Sequence, residues 1–378
     1  MRVLLVTWSE QLLEKLSTLN SELEYCAIVT DEVEPAKKIL ERVGLPKSLI
    51  YPLYDLKECV KDFYYDYVLC VENSWGRDFL KIVLEYNVPK NKIIGLNFFC
   101  NDNFLIERSL KYFEKHAASF EMFATGLSYT EIGLDVTRFK KKLFNFARSS
   151  QDLYYNFQVA KHAVAYGGGH GKFRYALIGL APFSFNYDVS KAINLSFLML
   201  HYLIPFGDLH NFHMPVETYK KLLRAEYFST RLPLEPFDIN NPFYAKTPLK
   251  FMTPKNRLEA RNEINAWAEK HYPETCAENI KILDDYLTFC EENNIRPIMF
   301  LPPMTEGYKK HFNKQIIDEF YYLVRQACKK HPLAIFIDGW KLPGMTDADF
   351  FDTSHMNNMG AAKFSTFLND FIENLERR

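Results

Sequence analysis

The chain is short of glycine. It has 15 among 378 residues, about 4% where soluble proteins usually have about 7%. A basic excess is also missing: 46 Lys and Arg stand against 47 Asp and Glu, a net charge of −1. With so little positive charge to neutralise phosphates, nucleic acid is not expected as a partner. No CxxC pair occurs, and the seven cysteines, at 26, 59, 70, 100, 276, 290 and 328, are odd in number and scattered. That pattern speaks against a disulfide framework and fits reduced, mostly buried thiols in a cytoplasmic protein. Long apolar runs are absent too. The N-terminal MRVLLVTWSE is too short a run for a secretory signal, and no small-residue cleavage site follows it. The longest uncharged stretch, Ala192 to Gly207, contains Asn194, Ser196, His201 and Pro205 and falls short of about 20 apolar residues. It reads first as a buried helix. A membrane-surface or partner-docking helix over 192–206 is the alternative.

What is present is ordinary for a globular chain: 48% hydrophobic and 25% charged residues. A disordered chain, a collagen and a coiled coil are thereby excluded. The aromatic content is high at 16%, from 32 Phe, 23 Tyr and 4 Trp. A compositional bias of the genome explains this as well as a surface that stacks on sugar rings. The length suggests about two and a half domains at roughly 150 residues each.

The first hundred residues alternate strand and helix. Apolar strands are expected at Val3–Thr7, Tyr25–Thr30, Leu49–Tyr54, Tyr67–Val71 and Lys92–Asn97, with helices at Ser9–Leu19, Glu34–Val43 and Gly76–Tyr86. Short apolar runs separated by helices imply parallel strands with crossovers. The expectation is a Rossmann-like domain over 1–115. Between Leu5 and Leu19 there is no glycine, so a pyrophosphate could not approach the first turn in the usual way. No dinucleotide, and no other cofactor, is expected.

After a connector at Asn101–Lys115, five more strands follow: Phe120–Thr125, Lys142–Ala147, Arg174–Leu180, Pro297–Leu301 and Ala334–Asp338. Helices are expected from Asp152 to about Tyr166, at Ala277–Asn293, at Lys314–Lys330 and at Gly360–Leu375. Residues 190–270 interrupt the rhythm and read as an insertion. The second domain is expected over 116–378.

In open α/β sheets, ligands bind at the carboxyl ends of the strands. Ser128 follows the first strand of this half and opens a helix, whose N-terminus favours a developing negative charge. Gly126 permits the tight turn before it. Asp352 and His355 follow the last strand. Three residues apart, a carboxylate can reach the imidazole within one turn, fix its tautomer and stabilise the imidazolium. His355 would then deprotonate Ser128 and later protonate the leaving group. Singly, each feature is common: a serine after a strand is usually an N-cap, and a lone histidine is usually structural. Their order and placement together suggest nucleophilic catalysis.

Other motifs read more simply. Glu131 fits an acid in a first helical turn. Asp208, His210 and His213 lack a third well-spaced partner and read as lid or surface residues, so no metal is expected. Gly167–Gly171 precedes a strand, whereas a phosphate loop follows one, and reads as a turn.

The segment FDTSHMNNMGA at 351–361 resembles the last block of the SGNH (GDSL-like) hydrolase superfamily, in its polysaccharide-linked branch. Ile295–Pro303, a strand ending in two prolines, is similar to the fourth strand of that group. The resemblance covers about residues 116–378. It implies a three-layer α/β domain with a parallel five-stranded sheet, Ser128 as nucleophile, His355 as base and Asp352 as orienting acid. It further implies an oxyanion hole from the serine's own N–H, a glycine N–H and an asparagine side chain. Here the nucleophile block reads Gly-Leu-Ser-Tyr, not Gly-Asp-Ser. The second block falls at Arg148-Ser149-Ser150 without glycine, so a backbone N–H must serve there. The third falls at Pro182–Asp188, where Ser184 or Asn186 could stand for the asparagine. Gly126, Ser149, Ser184 and Asn186 are the resulting oxyanion and substrate-binding candidates. The activity implied is ester hydrolysis or O-acyl transfer on a carbohydrate or polysaccharide precursor through an acyl-serine. The alternative is an inactive SGNH-like binding or assembly protein in polysaccharide biosynthesis.

Overall fold

The computed structural model describes residues 2–7, 24–71, 86, 88, 92–96, 105–167, 172–192, 202, 205–207, 209–211 and 272–377. By compactness the chain divides into two units, Met1–Arg108 with Val189–Glu235, and Ser109–Asp188 with Pro236–Arg378. Both are α/β units built on a parallel five-stranded sheet. Among the described residues no helix is long and apolar enough to cross a membrane.

In the first unit the strands are β1 (Arg2–Thr7), β2 (Glu24–Thr30), β3 (Ile50–Pro52), β4 (Tyr67–Val71) and β5 (Ile93–Leu96), in the order β3-β2-β1-β4-β5. Val3 to Val6 are completely buried, as the uninterrupted apolar run requires of a strand covered on both faces. Helices α1 (Val33–Val43) and α2 (Leu56–Asp62) follow β2 and β3. Leu4, Val6, Ala27, Val29, Leu56 and Val68 join Cys26 and Cys59 in one core. The expected helix at Ser9–Leu19 lies outside the described residues, as does all of Gly76–Tyr86 except Tyr86.

The expected domain boundary at 115/116 falls instead at 108/109, inside helix α3 (Leu105–His116). Phe113 is the reason. It is fully buried and packs on Phe120, Phe144, Phe146 and Phe173 of the second unit's core. Four aromatic partners bind this end of the helix to the second unit. The expected insertion at 190–270 is divided as well, since 189–235 group with the first unit. Most of it, with most of the 192–206 segment and with Gly168–Gly171, lies outside the described residues.

The second unit contains β6 (Met122–Thr125), β7 (Leu143–Asn145), β8 (Tyr175–Gly179), β9 (Arg296–Leu301) and β10 (Ile335–Asp338), in the order β10-β9-β8-β6-β7. Its helices are α4 (Ser128–Gly133), α5 (Leu153–Tyr166), α6 (Pro273–Glu292), α7 (Glu306–Lys309), α8 (Lys314–Lys330) and α9 (Asn358–Glu376). Side chains alternate across the sheet, as a strand period of two demands. Met122, Ala124, Leu177, Ile298 and Phe300 meet Phe364, Leu368 and Ile372 of α9 on one face. Thr125 points to the other, where its hydroxyl lies 3.2 Å from that of Tyr286 in α6. Tyr286 in turn stacks on Phe157 of α5. Helices thus cover both faces. Chain order runs to β7 on one side of β6 and to β8, β9 and β10 on the other. The loops after β6 and β8 leave in opposite directions, and the crevice between them is where a parallel sheet places a ligand.

Candidate active site

Ser128 stands at that crevice because the chain leaves β6 through a glycine. Gly126 has φ +151°, a conformation L side chains rarely adopt. A Cβ there would meet the Thr130 side chain. Gly179, at the end of neighbouring β8, closes on the same threonine, and a Cβ on it would also collide with Thr130. Thr130 is almost wholly buried, so both glycines admit the first turn of α4 against the sheet. Ser128 is the first residue of that helix. Its N–H therefore has no intrahelical acceptor.

The opposite side of the site is a short closed loop. Phe350 and Met356 form an isolated antiparallel bridge, and the Phe351 N–H donates to the His355 carbonyl at 2.7 Å. The loop is tied at both ends. Asn357 caps α9 by accepting from the N–H groups of Met359 and Gly360, while its Nδ2 donates to the carbonyls of Ala348 and Phe350. At the loop's centre the Thr353 carbonyl accepts from the Thr305 hydroxyl at 2.6 Å, which fastens it to the chain after β9.

The loop places His355 between two partners. Its Nδ1 lies 2.8 Å from Asp352 Oδ2, and its Nε2 lies 2.9 Å from Ser128 Oγ. With Nδ1–H donating to the carboxylate, Nε2 is left to accept the serine proton. Asp352 also accepts from the N–H groups of Ser354 and His355, at 2.8 and 2.7 Å, and from the Ser354 hydroxyl at 3.2 Å. Burial pushes its carboxyl up. The His355 hydrogen bond and charge, with the two backbone donors, outweigh this and hold it below the ordinary carboxylate value. The three sequence-predicted residues, 227 positions apart at the widest, thus form one continuous chain of contacts. Ser128 and His355 are both partly exposed.

The oxyanion candidates fare differently. Ser149 donates both its N–H and its hydroxyl to Glu131 Oε2, at 2.7 and 2.9 Å. Glu131 also pairs with Arg148 at 3.1 Å, and Arg148 reaches the Ser109 hydroxyl. Glu131 is therefore a clamp between α4 and the loop after β7, not simply a first-turn acid. Ser150 in that loop has φ +62°, a left-handed conformation more often held by glycine. The Ser184 hydroxyl accepts from the Ala181 N–H at 2.8 Å. Asn186 donates to Glu319 and accepts from the Tyr272 N–H. Ser184 thus turns its hydroxyl into the loop that carries it, whereas Ser149 is engaged by Glu131 of α4 and Asn186 by Glu319 of α8 and the Tyr272 N–H. For Ser184 the reason is local: turns leave backbone donors that short polar side chains satisfy first. Gly126 shapes the turn, and its carbonyl accepts from the Arg148 N–H.

Two residues at the site were not singled out in the sequence. Tyr129 stacks on His355, with ring centroids 5.0 Å apart and an interplanar angle of 26°. Its hydroxyl lies 3.2 Å from that of Tyr308 in α7. Thr305 fastens the histidine loop, as described above. Adjacency to Ser128 was the available signal for Tyr129. Nothing local marks Thr305, whose partner is 48 residues away. Of Asp208, His210 and His213, only His210 is described. Compared by sequence, the chain matches no family model and no curated protein.

Proposed function

We propose that the protein carries out serine-dependent acyl chemistry, with Ser128 as nucleophile, His355 as general base and acid, and Asp352 as the orienting carboxylate. The observation that carries this reading is the contact chain from Ser128 Oγ through His355 to Asp352, at 2.9 and 2.8 Å, at the carboxyl end of a parallel sheet. His355 Nε2 takes the hydroxyl proton as Ser128 attacks an ester carbonyl. It then returns that proton to the leaving alkoxide. An acyl-serine remains, which water hydrolyses or a second hydroxyl accepts. In this reading the Ser128 N–H, which opens α4 without an intrahelical acceptor, donates to the developing oxyanion.

The SGNH-like reading of the second unit draws further support from its strand order. Numbered within the unit, it is 2-1-3-4-5, a common doubly wound order with its reversal beside the first strand. In the first unit the order β3-β2-β1-β4-β5 supports a Rossmann-like reading. A carbohydrate or polysaccharide precursor as acyl acceptor or ester rests on the resemblance of residues 351–361 alone. A second reading has its own observation. Both donors of Ser149 are held by Glu131, and the side chains of Ser184 and Asn186 are engaged elsewhere. That favours an inactive binding or assembly protein that retains the triad geometry.

A fluorophosphonate probe separates the two. Labelling of the wild type that is lost in Ser128→Ala, with turnover of an aryl acetate lost in Ser128→Ala and His355→Ala, is the expected result. Equal behaviour of all three proteins would overturn the enzymatic reading.

A further inference from the structure

From the aromatic stack at the site we infer that Tyr129 is the positioning residue of the His355 imidazole, an inference that rests on the acyl-serine reading for its kinetic consequence. Hydrogen bonds fix two points of the His355 ring, Nδ1 to Asp352 and Nε2 to Ser128. Two in-plane points leave the ring free to tilt about the line joining them. The Tyr129 ring removes that freedom by lying against one face, at 5.0 Å and 26°.

Tyr129 is itself held in place. It is 6% exposed. Its hydroxyl meets that of the fully buried Tyr308, and its ring meets Phe183 edge-on with centroids 6.3 Å apart. Phe183 follows β8 and Tyr308 follows β9, so the ring is braced from two different strand ends. Tyr308 lies three residues beyond Thr305, which fastens the histidine loop through Thr353. The nucleophile's helix and the base's loop are therefore secured to the same stretch of chain.

The stack also acts on charge. When His355 takes the Ser128 proton it becomes a cation, and a π face with its negative quadrupole lies beside it. This interaction is stronger in the charged state than in the neutral ground state. It therefore lowers the barrier to serine attack rather than tightening substrate binding.

The test uses the full chain, aryl acetate kinetics and nitrogen NMR of protein labelled with 15N-histidine. Tyr129→Phe keeps the ring and loses only the hydroxyl, and is expected to stay within about threefold of wild-type kcat. Tyr129→Leu is expected to lose about tenfold in kcat with KM within about twofold. In the wild type the neutral His355 ring is expected to show a single Nδ1-protonated tautomer. In Tyr129→Leu its nitrogen signals are expected to broaden as the ring tilts. Should Tyr129→Leu not fold, Tyr129→Met removes the aromatic face with less loss of volume. The inference is overturned if the ringless variant keeps wild-type kcat and nitrogen line widths, or if Tyr129→Phe falls as far as Tyr129→Leu. Absence of Ser128-dependent fluorophosphonate labelling would instead sink the acyl-serine reading. The nitrogen spectra would then decide the positioning role by themselves.

Discussion

Asp352 shows how one residue links stability to chemistry. It is held below its ordinary value by its hydrogen bonds and the nearby imidazole, against the opposing effect of burial. A carboxyl with a lowered folded value adds stability that is fully present above the unfolded value, near 3.9. That stability is lost as pH falls through the folded value. The unfolding free-energy gap between wild type and Asp352→Asn is thus expected to be constant above about pH 5 and to close below about pH 4. Denaturant unfolding across this range measures it. A gap unchanged down to about pH 2 would contradict the assignment. At neutral pH the same variant should keep its fold. It should lose about two to four orders of magnitude in turnover, because an amide that donates to Nδ1 imposes the wrong tautomer. Ser128 could be proposed from sequence because it sits at the end of an apolar strand, and Asp352 and His355 because they lie three residues apart in the stretch that follows the last strand. The roles of Ser149 and Glu131 could not, because both depend on a hydrogen bond across 18 positions.

At the scale of elements, the histidine loop and helix α9 form one device. Asn357 accepts from two N–H groups in the first turn of α9 and donates to two carbonyls across the loop. Its removal therefore leaves donors and acceptors unpaired on both sides. Asn357→Ala is expected to cost about 1–2 kcal/mol and to slow Ser128 labelling, since the loop that aims His355 loses its anchor. Full labelling with the stability loss intact would show that Thr305 and the Phe350–Met356 bridge hold the loop without it. Strand positions were legible because the strands are short apolar runs buried on both faces. The expected Lys314–Lys330 helix matches its observed bounds, with Asn313 accepting from the Gln315 N–H as its cap. The last helix begins at Asn358, two residues before the expected Gly360, because its capping asparagine precedes the apolar face that periodicity detects.

Across the whole molecule, each unit has its own core. In the second, Phe364 of α9 is fully buried and tilts against Phe300 of β9 with centroids 5.5 Å apart. Phe364→Ala is expected to cost about 3–5 kcal/mol through lost burial and the cavity left behind. Urea unfolding reads this directly, and a change below about 1 kcal/mol would mean that the core collapses around the gap. The aromatic excess finds a structural use here: Phe113, Phe120, Phe144, Phe146 and Phe173 pack on one another between α3 and the sheet. At least this part of it is core, not a wall for sugar rings. The five cysteines with described side chains are free, and four of them are buried. Burial pushes the Cys59 and Cys276 thiols up to about 11, so both remain protonated and unreactive near neutral pH.

By itself the sequence determined the alternation of strand and helix and the parallel pairing it implies, and it singled out the three residues that the structure brings into contact. These are local or periodic signals, set by burial on both faces of a strand and by what a turn can expose. Tertiary structure alone decided which polar groups remain available. It gave Ser149 to Glu131, Ser184 to the turn that carries it and Asn186 to Glu319, and it laid Tyr129 against His355. It also put the domain boundary inside a helix whose Ser109, Tyr112 and Phe113 engage the second unit. Each of these outcomes is a contest for a partner among groups that only folding brings together. A hydrogen bond or ring contact of that kind leaves no periodic trace in the chain.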